Sequence, residues 1–312
     1  MHKDVFRLAA LLTCVALATS RIGLIGHELL GHGGVALALG GTITDVKLFW
    51  FAGGWIRYQL PETSLAGALA IAMAGIAVEL VSGITLWLAV RGDALGRRIA
   101  RGLGLALVVH ATWYLATGAW HGFGDGLLLY RVIGAWRVPV AIAAGLATCA
   151  AAFAGAREVL GALAHTVAGS PRARIAGTAI AVVIAAGLHA ALAAGEVKLR
   201  QDTTYGAVMQ PERERVIARE LVQWQREQAA RGVEVSAEQK RAEVRRLAST
   251  HKTFPFVWIL AACTVAAVLA GARFAKRTTA ARIDSRLLAI TAAVAIGAIL
   301  TVVILDGLFV AM

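Results

Sequence analysis

With 312 residues, 58% hydrophobic side chains and only 16% charged ones, and a mean hydropathy of +0.69, the chain is too apolar for a soluble globular domain. Its net charge of +12 does not signal nucleic acid. The basic residues gather in short clusters between apolar runs, where they act as topology signals and as contacts to anionic lipid headgroups.

Seven apolar stretches approach the roughly 20 residues that a bilayer crossing needs. They cover residues 5–38, 64–90, 100–118, 138–163, 174–194, 255–272 and 287–311. The first is too long and uninterrupted for a cleaved leader, and no small-residue site closes a short apolar core. After it comes "GGTITDVKLFWFAGGWIRYQL", rich in β-branched and aromatic residues and divided by "AGG", which predicts a β-hairpin. Residues 196–254 differ from the rest, with twelve Lys/Arg, nine Asp/Glu and few large apolar side chains. "PERERVIARELVQWQREQAARG" starts on proline and repeats apolar positions at helical spacing, and "SAEQKRAEVRRLAST" starts on a serine cap. This segment reads as an extramembrane insertion of amphipathic helices between spans five and six, its charges forming a solvated face. Cys14, Cys149 and Cys263 stand singly within apolar runs and read as packing residues, with no disulfide or thiolate metal pattern. Trp50, Trp55, Trp120, Trp136 and Trp258 fall near span ends, as an interfacial aromatic belt would. The fold class expected is an all-α polytopic membrane protein of about seven transmembrane helices, with a small β-hairpin after the first.

The first span carries "GLIGHELLGHGG", with His27, Glu28 and His32 inside six residues. Ionisable groups are costly in hydrocarbon and point to function. In the zinc motif His-Glu-x-x-His the two histidines lie four apart, so both imidazoles reach one metal and the glutamate serves as base toward water. Here the histidines are five apart, which turns them about 140° from each other on a regular α-helix. A π-helical turn would bring them back to one face, and such turns are frequent at functional sites. Gly31, directly before His32, eases that distortion. The expectation is therefore zinc held by His27 and His32, on a locally irregular helix.

The stretch "GHELLGHGGVALALGGTITDV" resembles the first core segment of the site-2 protease-type intramembrane zinc metalloproteases. In that family a membrane helix with the zinc motif is followed by a small-residue run and a β-hairpin. "AMAGIAVELVSG" is more distantly similar to the family's glycine-proline-x-x-asparagine segment: Gly75 matches, Ile76 replaces proline and Glu79 stands at the asparagine. The six-residue form HELLGH departs from the family but is the zinc motif of the soluble dipeptidyl peptidase III enzymes. The resemblance covers roughly residues 5–135. It implies a third zinc ligand, an aspartate from a later segment in a leucine-aspartate-glycine setting. Asp125 in "GFGDGLLLYR" fits the family's order and spacing, whereas Asp306 in "VVILDGLFVAM" fits its local letters. Asp125 is the expected ligand, with Asp306 and Glu79 as alternatives. Glu79 would otherwise be a partner orienting a ligating histidine. His110 and His121, eleven residues apart and so able to share a helix face, are further candidates near the site.

The resemblance implies a zinc-dependent endopeptidase in which Glu28 is the general base and a zinc-activated water hydrolyses peptide bonds of a membrane protein substrate. Residues 42–60 would hold the substrate extended by β-augmentation. The segments implied are 1–135 as the metalloprotease core, 136–195 as additional membrane helices, 196–254 as the charged insertion and 255–312 as the C-terminal membrane helices. Competing readings are a non-proteolytic binding or regulatory membrane protein, and a metal- or ion-handling transporter that uses the same buried polar residues. The protein is expected to reside in the lipid bilayer of a bacterial inner (plasma) membrane.

Topology follows from the basic connections "RGDALGRRIAR" (91–101), "GSPRAR" (169–174) and "ARFAKRTTAARIDSR" (272–286). By the positive-inside rule these are cytoplasmic, which puts the N-terminus inside and residues 196–254 outside. In a cysteine-free variant, a single cysteine at position 225 should react with a membrane-impermeant maleimide in intact cells, and one at position 96 only after lysis. The reverse labelling pattern overturns this orientation.

Overall fold

The structure, a computed structural model, describes residues 2–62, 64–160, 163, 166–274 and 283–310. Among the described residues there are seven helices long and apolar enough to cross a membrane, together with one two-stranded sheet. Their outward faces carry large apolar side chains such as Val183, Trp258, Leu269 and Ile296, which is the pattern that hydrocarbon solvent requires.

The first crossing is α1 (His2–Ile25), a π-helical turn (Gly26–Gly33) and α2 (Gly34–Ala38) in one continuous rod. The hairpin follows as β1 (Thr42–Leu48) and β2 (Gly54–Gln59), antiparallel with Leu48 opposite Gly54 and an irregularity between Ile43 and Asp45. Next come α3 (Leu65–Ala89), capped by the Ser64 hydroxyl on the Gly67 amide, α4 (Leu95–His121) and the short α5 (Gly126–Val132). A 3-10 turn leads into α6 (Arg137–Gly155), whose end is again π-helical (Ala156–Leu160). Then α7 (Pro171–Arg200) starts on a Ser170 cap with proline in its first turn. The insertion supplies α8 (Thr203–Met209), α9 (Glu212–Ala230) and α10 (Ala237–Thr250), the last opened by a Ser236–Gln239 capping box. The chain closes with α11 (Phe256–Arg273) and α12 (Ser285–Val310). Residues 275–282, the centre of the third basic connection, lie outside the described residues, as do positions 161 and 162 at the end of the fourth predicted span.

Helices α12, α1 and α7 pack side by side, and α3, α4, α6 and α11 form a second group. The groups meet where the π-helical turn packs on α3 and at the opposite end, where Leu8 and Leu11 of α1 cluster with Ile99 of α4. Between these contacts lies a cavity of about 990 Å³. Within the second group, Thr148 of α6 donates to Thr112 Oγ1 of α4 at 2.9 Å, an interhelical polar contact of the kind bilayer helices use.

The hairpin is fixed to three helices by buried charges. Arg21 of α1 donates to the carbonyls of Phe49 (2.5 Å), Phe51 (3.2 Å) and Ala52 (2.7 Å). From the other side Glu196 of α7 accepts from the amides of Trp50 (2.7 Å), Phe51 (2.6 Å) and Ala52 (3.1 Å). Arg200 bridges Glu196 (2.8 Å) to Asp306 of α12 (2.9 Å). Asp306 in turn holds the Leu48 amide (3.1 Å) and Lys47 (3.2 Å).

Two expectations change here. The charged insertion begins after Arg200 and not at residue 196, because Glu196, Lys198 and Arg200 form the last turns of α7. A carboxylate and a guanidinium can end a membrane helix in the interior when each is paired. Trp55 does not join an interfacial belt. It is buried with Phe49 and Ala52 beneath the hairpin, while Trp120 stacks on Phe256.

Removing Glu196 would leave three turn amides without an acceptor in a desolvated place and Arg200 with Asp306 as its remaining carboxylate. Glu196→Ala should cost about 3–5 kcal/mol, the usual penalty for breaking a buried ion pair. Glu238→Ala, on the exposed insertion, should leave the thermal midpoint in detergent unchanged. Equal midpoints for both variants would refute this role of the clamp.

Candidate metal centre

The site starts from the π-helical turn. In it the backbone bonds run from i to i+5, so residues five apart sit on one face. His27 and His32 consequently meet, with ring centroids 4.9 Å apart. Both are buried. The turn needs close support from α3, where Gly31 lies so near the backbone that a methyl there would come within 2.6 Å of the Gly75 Cα. Gly75 supports the ring itself, since a methyl at that position would meet the His27 Cδ2 and Nε2 atoms at 2.5 Å.

The outer nitrogens of both histidines converge on Asp125. His27 Nε2 is 2.8 Å from Asp125 Oδ2, and His32 Nε2 is 3.2 Å from Asp125 Oδ1. Asp125 arrives on the turn between α4 and α5, where Gly124 adopts a left-handed φ of 52° against the Tyr114 ring. The Tyr114 hydroxyl accepts from the Asp125 amide at 3.4 Å. Burial by itself raises the Asp125 carboxyl, but the two imidazoles outweigh it and hold the group well below the usual carboxylate range. It is thus an anion at neutral pH.

The inner nitrogens are engaged elsewhere. His32 Nδ1 lies 2.6 Å from the Ile71 carbonyl, a contact that only a protonated Nδ1 can make, which leaves Nε2 as the nitrogen that faces Asp125. His27 Nδ1 is 3.4 Å from Glu79 Oε1, near but without hydrogen-bond alignment. Glu28 is buried and lines the cavity, and its carboxylate lies within 4.8 Å of the histidine ligand atoms. It forms no hydrogen bond or ion pair among the described residues.

His27, Glu28 and His32 form a group able to hold a metal ion. Two ligands at about 2.0–2.1 Å from a tetrahedral zinc stand about 3.4 Å apart. The His27–Asp125 and His32–Asp125 separations of 2.8 and 3.2 Å need to open by only a few tenths of an ångström. The donor set of two imidazoles and one carboxylate therefore fits such an ion.

The remaining sequence candidates take other positions. Glu79 meets His27 on the edge away from Asp125, and its second oxygen is 2.8 Å from His110 Nδ1. His110 lines the cavity. His121, at the end of α4, makes no hydrogen bond or ring contact with His27, Glu28, His32 or Asp125, and its Nε2 is buried without a partner. Asp306 is not part of this cluster: its carboxylate is engaged by Lys47, Arg200 and the Leu48 amide.

Sequence reasoning missed Tyr114, Tyr205 and the full role of Arg21. Tyr205 of α8 lies against Gly53 in the hairpin turn and, with Met209, lines one end of the cavity. The only signal was an arginine inside the first span, a residue that must find acceptors. Comparison with family models, with curated proteins and with solved structures finds no match for this chain.

Because the His27 ring rests on Gly75, Gly75→Ala should abolish metal binding by purified protein. Gly297→Ala, where a methyl meets nothing within 4 Å, should bind like the parent. Full metal content in Gly75→Ala would show that this packing does not position the ring.

Proposed function

We propose that the protein is a membrane-embedded zinc metalloprotease acting on membrane or membrane-proximal proteins. One observation carries this reading: His27 and His32, brought to one face by the π-helical turn, converge with Asp125 beside an unpaired, buried Glu28 at a cavity wall.

His27, His32 and Asp125 would hold the ion. Zinc supplies Lewis-acid polarisation of the scissile carbonyl and of water. Glu28 accepts a proton from the attacking water, whose oxygen bonds to the carbonyl carbon. As the carbon–nitrogen bond breaks, Glu28 returns that proton to the departing amine. A carboxylate free of other partners can carry a proton both ways, which Asp125 and Glu79, each engaged by histidine, cannot do.

The cavity supports the substrate class. It follows α1 from Leu12 to His27 and α7 from Val182 to Lys198, about 23 Å along each helix at the α-helical rise. Its walls are mostly apolar. Gly54 of the hairpin lies directly against Glu28, so a chain paired along β2 would pass next to the base. A helical substrate must unwind locally before its carbonyls are free to be attacked. On this reading the protein sits in a bacterial plasma membrane, and by the positive-inside rule its N-terminus would be cytoplasmic and the hairpin and insertion outside.

Zinc stoichiometry of protein purified in detergent, measured beside cleavage of a co-expressed single-span reporter, tests the reading. Glu28→Gln should keep zinc and lose turnover by at least about 10²-fold, the scale of general-base catalysis. His27→Ala, His32→Ala and Asp125→Ala should lose both, and Asp306→Ala should keep its zinc. A Glu28→Gln variant that cuts as fast as the parent would exclude this mechanism.

A further inference from the structure

Glu79 lies inside α3, 3% exposed. An ionisable side chain at that depth is expensive unless specifically engaged. Its two oxygens face two histidines from different helices: Oε1 is 3.4 Å from His27 Nδ1, and Oε2 is 2.8 Å from His110 Nδ1. Glu79 is one turn beyond Gly75 on α3, so both project to the same side of the helix. Gly75 meets the face of the His27 ring and Glu79 meets its inner nitrogen. The two nitrogens of an imidazole point away from each other. A group on the Nδ1 edge therefore cannot share an ion with Asp125, which occupies the Nε2 edge.

We propose that Glu79 is a positioning residue for the metal centre. By closing its 3.4 Å contact with His27 Nδ1 when the ion binds, Glu79 would accept the Nδ1 proton, fix the tautomer with the lone pair on Nε2, and turn that lone pair toward the ion. His110 anchors the second oxygen of Glu79. Its side chain is 65% exposed and lines the cavity, so the chain of contacts runs from the metal centre through α3 to the cavity wall. The Ile71 carbonyl does the same for His32, which leaves Glu79 as the matching group for His27. A carboxylate in this place also raises the basicity of the ligating nitrogen, and loss of such partners lowers metal affinity about 10–100-fold. The inference rests on the zinc reading of the site.

The experiment measures the zinc dissociation constant of the full chain in detergent, by competition with a chromophoric chelator, and the visible spectrum of the Co2+-substituted protein. Glu79→Ala should weaken zinc about 10–100-fold and shift the cobalt bands. Glu79→Gln keeps the shape and one acceptor oxygen, so it should lie between parent and Glu79→Ala. It also decides the matter if Glu79→Ala fails to fold. His110→Ala should weaken zinc severalfold in the parent and not at all in the Glu79→Ala background, because its effect passes through Glu79. Parent-like affinity and cobalt spectrum in Glu79→Gln and Glu79→Ala would overturn the proposal. Additive losses would overturn the part assigned to His110. A parent that binds no zinc would sink the zinc reading itself, a result separate from any effect of the variants.

Discussion

Two side chains five residues apart on a regular α-helix look about 140° away from each other, and the whole site depends on the chain's escape from that rule between Gly26 and Gly33. A π-helical turn carries poorer packing of its own backbone than an α-helix and is seldom found without a local cause. Here the turn sits against a close approach from another helix. Gly31 and Gly75 bring the backbones of the first crossing and α3 into near contact. The widened turn fills space that an α-helix with side chains at those positions could not enter. Convergence of His27 with His32, their approach to Asp125 and the seat of the His27 ring all follow from that one contact.

The same helix carries a second polar system, and the two are mechanically linked. Arg21 precedes His27 by less than two turns on α1. It reaches the hairpin turn, where Glu196 satisfies the amides that Arg21 leaves free. In hydrocarbon an incomplete network of this sort would be worse than none, since each stranded charge costs several kcal/mol. Glu196, Arg200, Asp306 and Lys47 each have an opposite charge in reach, and Arg21 keeps only its Nε without an acceptor. The network holds Gly54, and with it the start of β2, against Glu28. On the proposed reading, a hairpin held firmly beside Glu28 would suit an extended substrate strand.

Much of this was legible in the sequence, for reasons that differ by residue. Long apolar runs report bilayer crossings because no other solvent tolerates them, and the helix ends fall within a few residues of those expected. The largest differences are at the start of α4 and the end of α7. In both places charged residues extend a helix beyond its apolar core, Arg98 by binding Asp93 and Glu196 by binding the hairpin. The need for a π-helical turn was legible because it follows from spacing alone. Between Asp125 and Asp306 the sequence offers order and spacing for the first, the expected ligand, and an apolar run before Asp-Gly for the second. What separates them is the company each keeps: histidines 98 and 93 residues away for Asp125, a lysine 259 residues away for Asp306. Glu79 was visible as a buried acid, but only the fold shows on which edge of His27 it lies.

The insertion after α7 acquires a purpose from where it attaches. Val208 of α8 accepts from the Gly124 amide at 2.9 Å, directly beside Asp125. Arg131 of α5 is paired with Glu212 at the start of α9. Tyr205 packs on the hairpin turn at Gly53 and against Phe49. One short segment thus touches both loops that border the site and, through Tyr205 and Met209, covers the end of the cavity nearest to it. Along the cavity's length α4 contributes Ala106 and Leu107 to the wall and α7 contributes Ala185 and Ala186. On the proposed reading, a substrate segment would enter sideways from the bilayer between α4 and α7. The insertion would keep bulk water and soluble chains from reaching Glu28 along the cavity's capped end. Water exclusion of that sort strengthens every electrostatic contact among Glu28, Asp125 and the two histidines, because the same charges act through a lower dielectric.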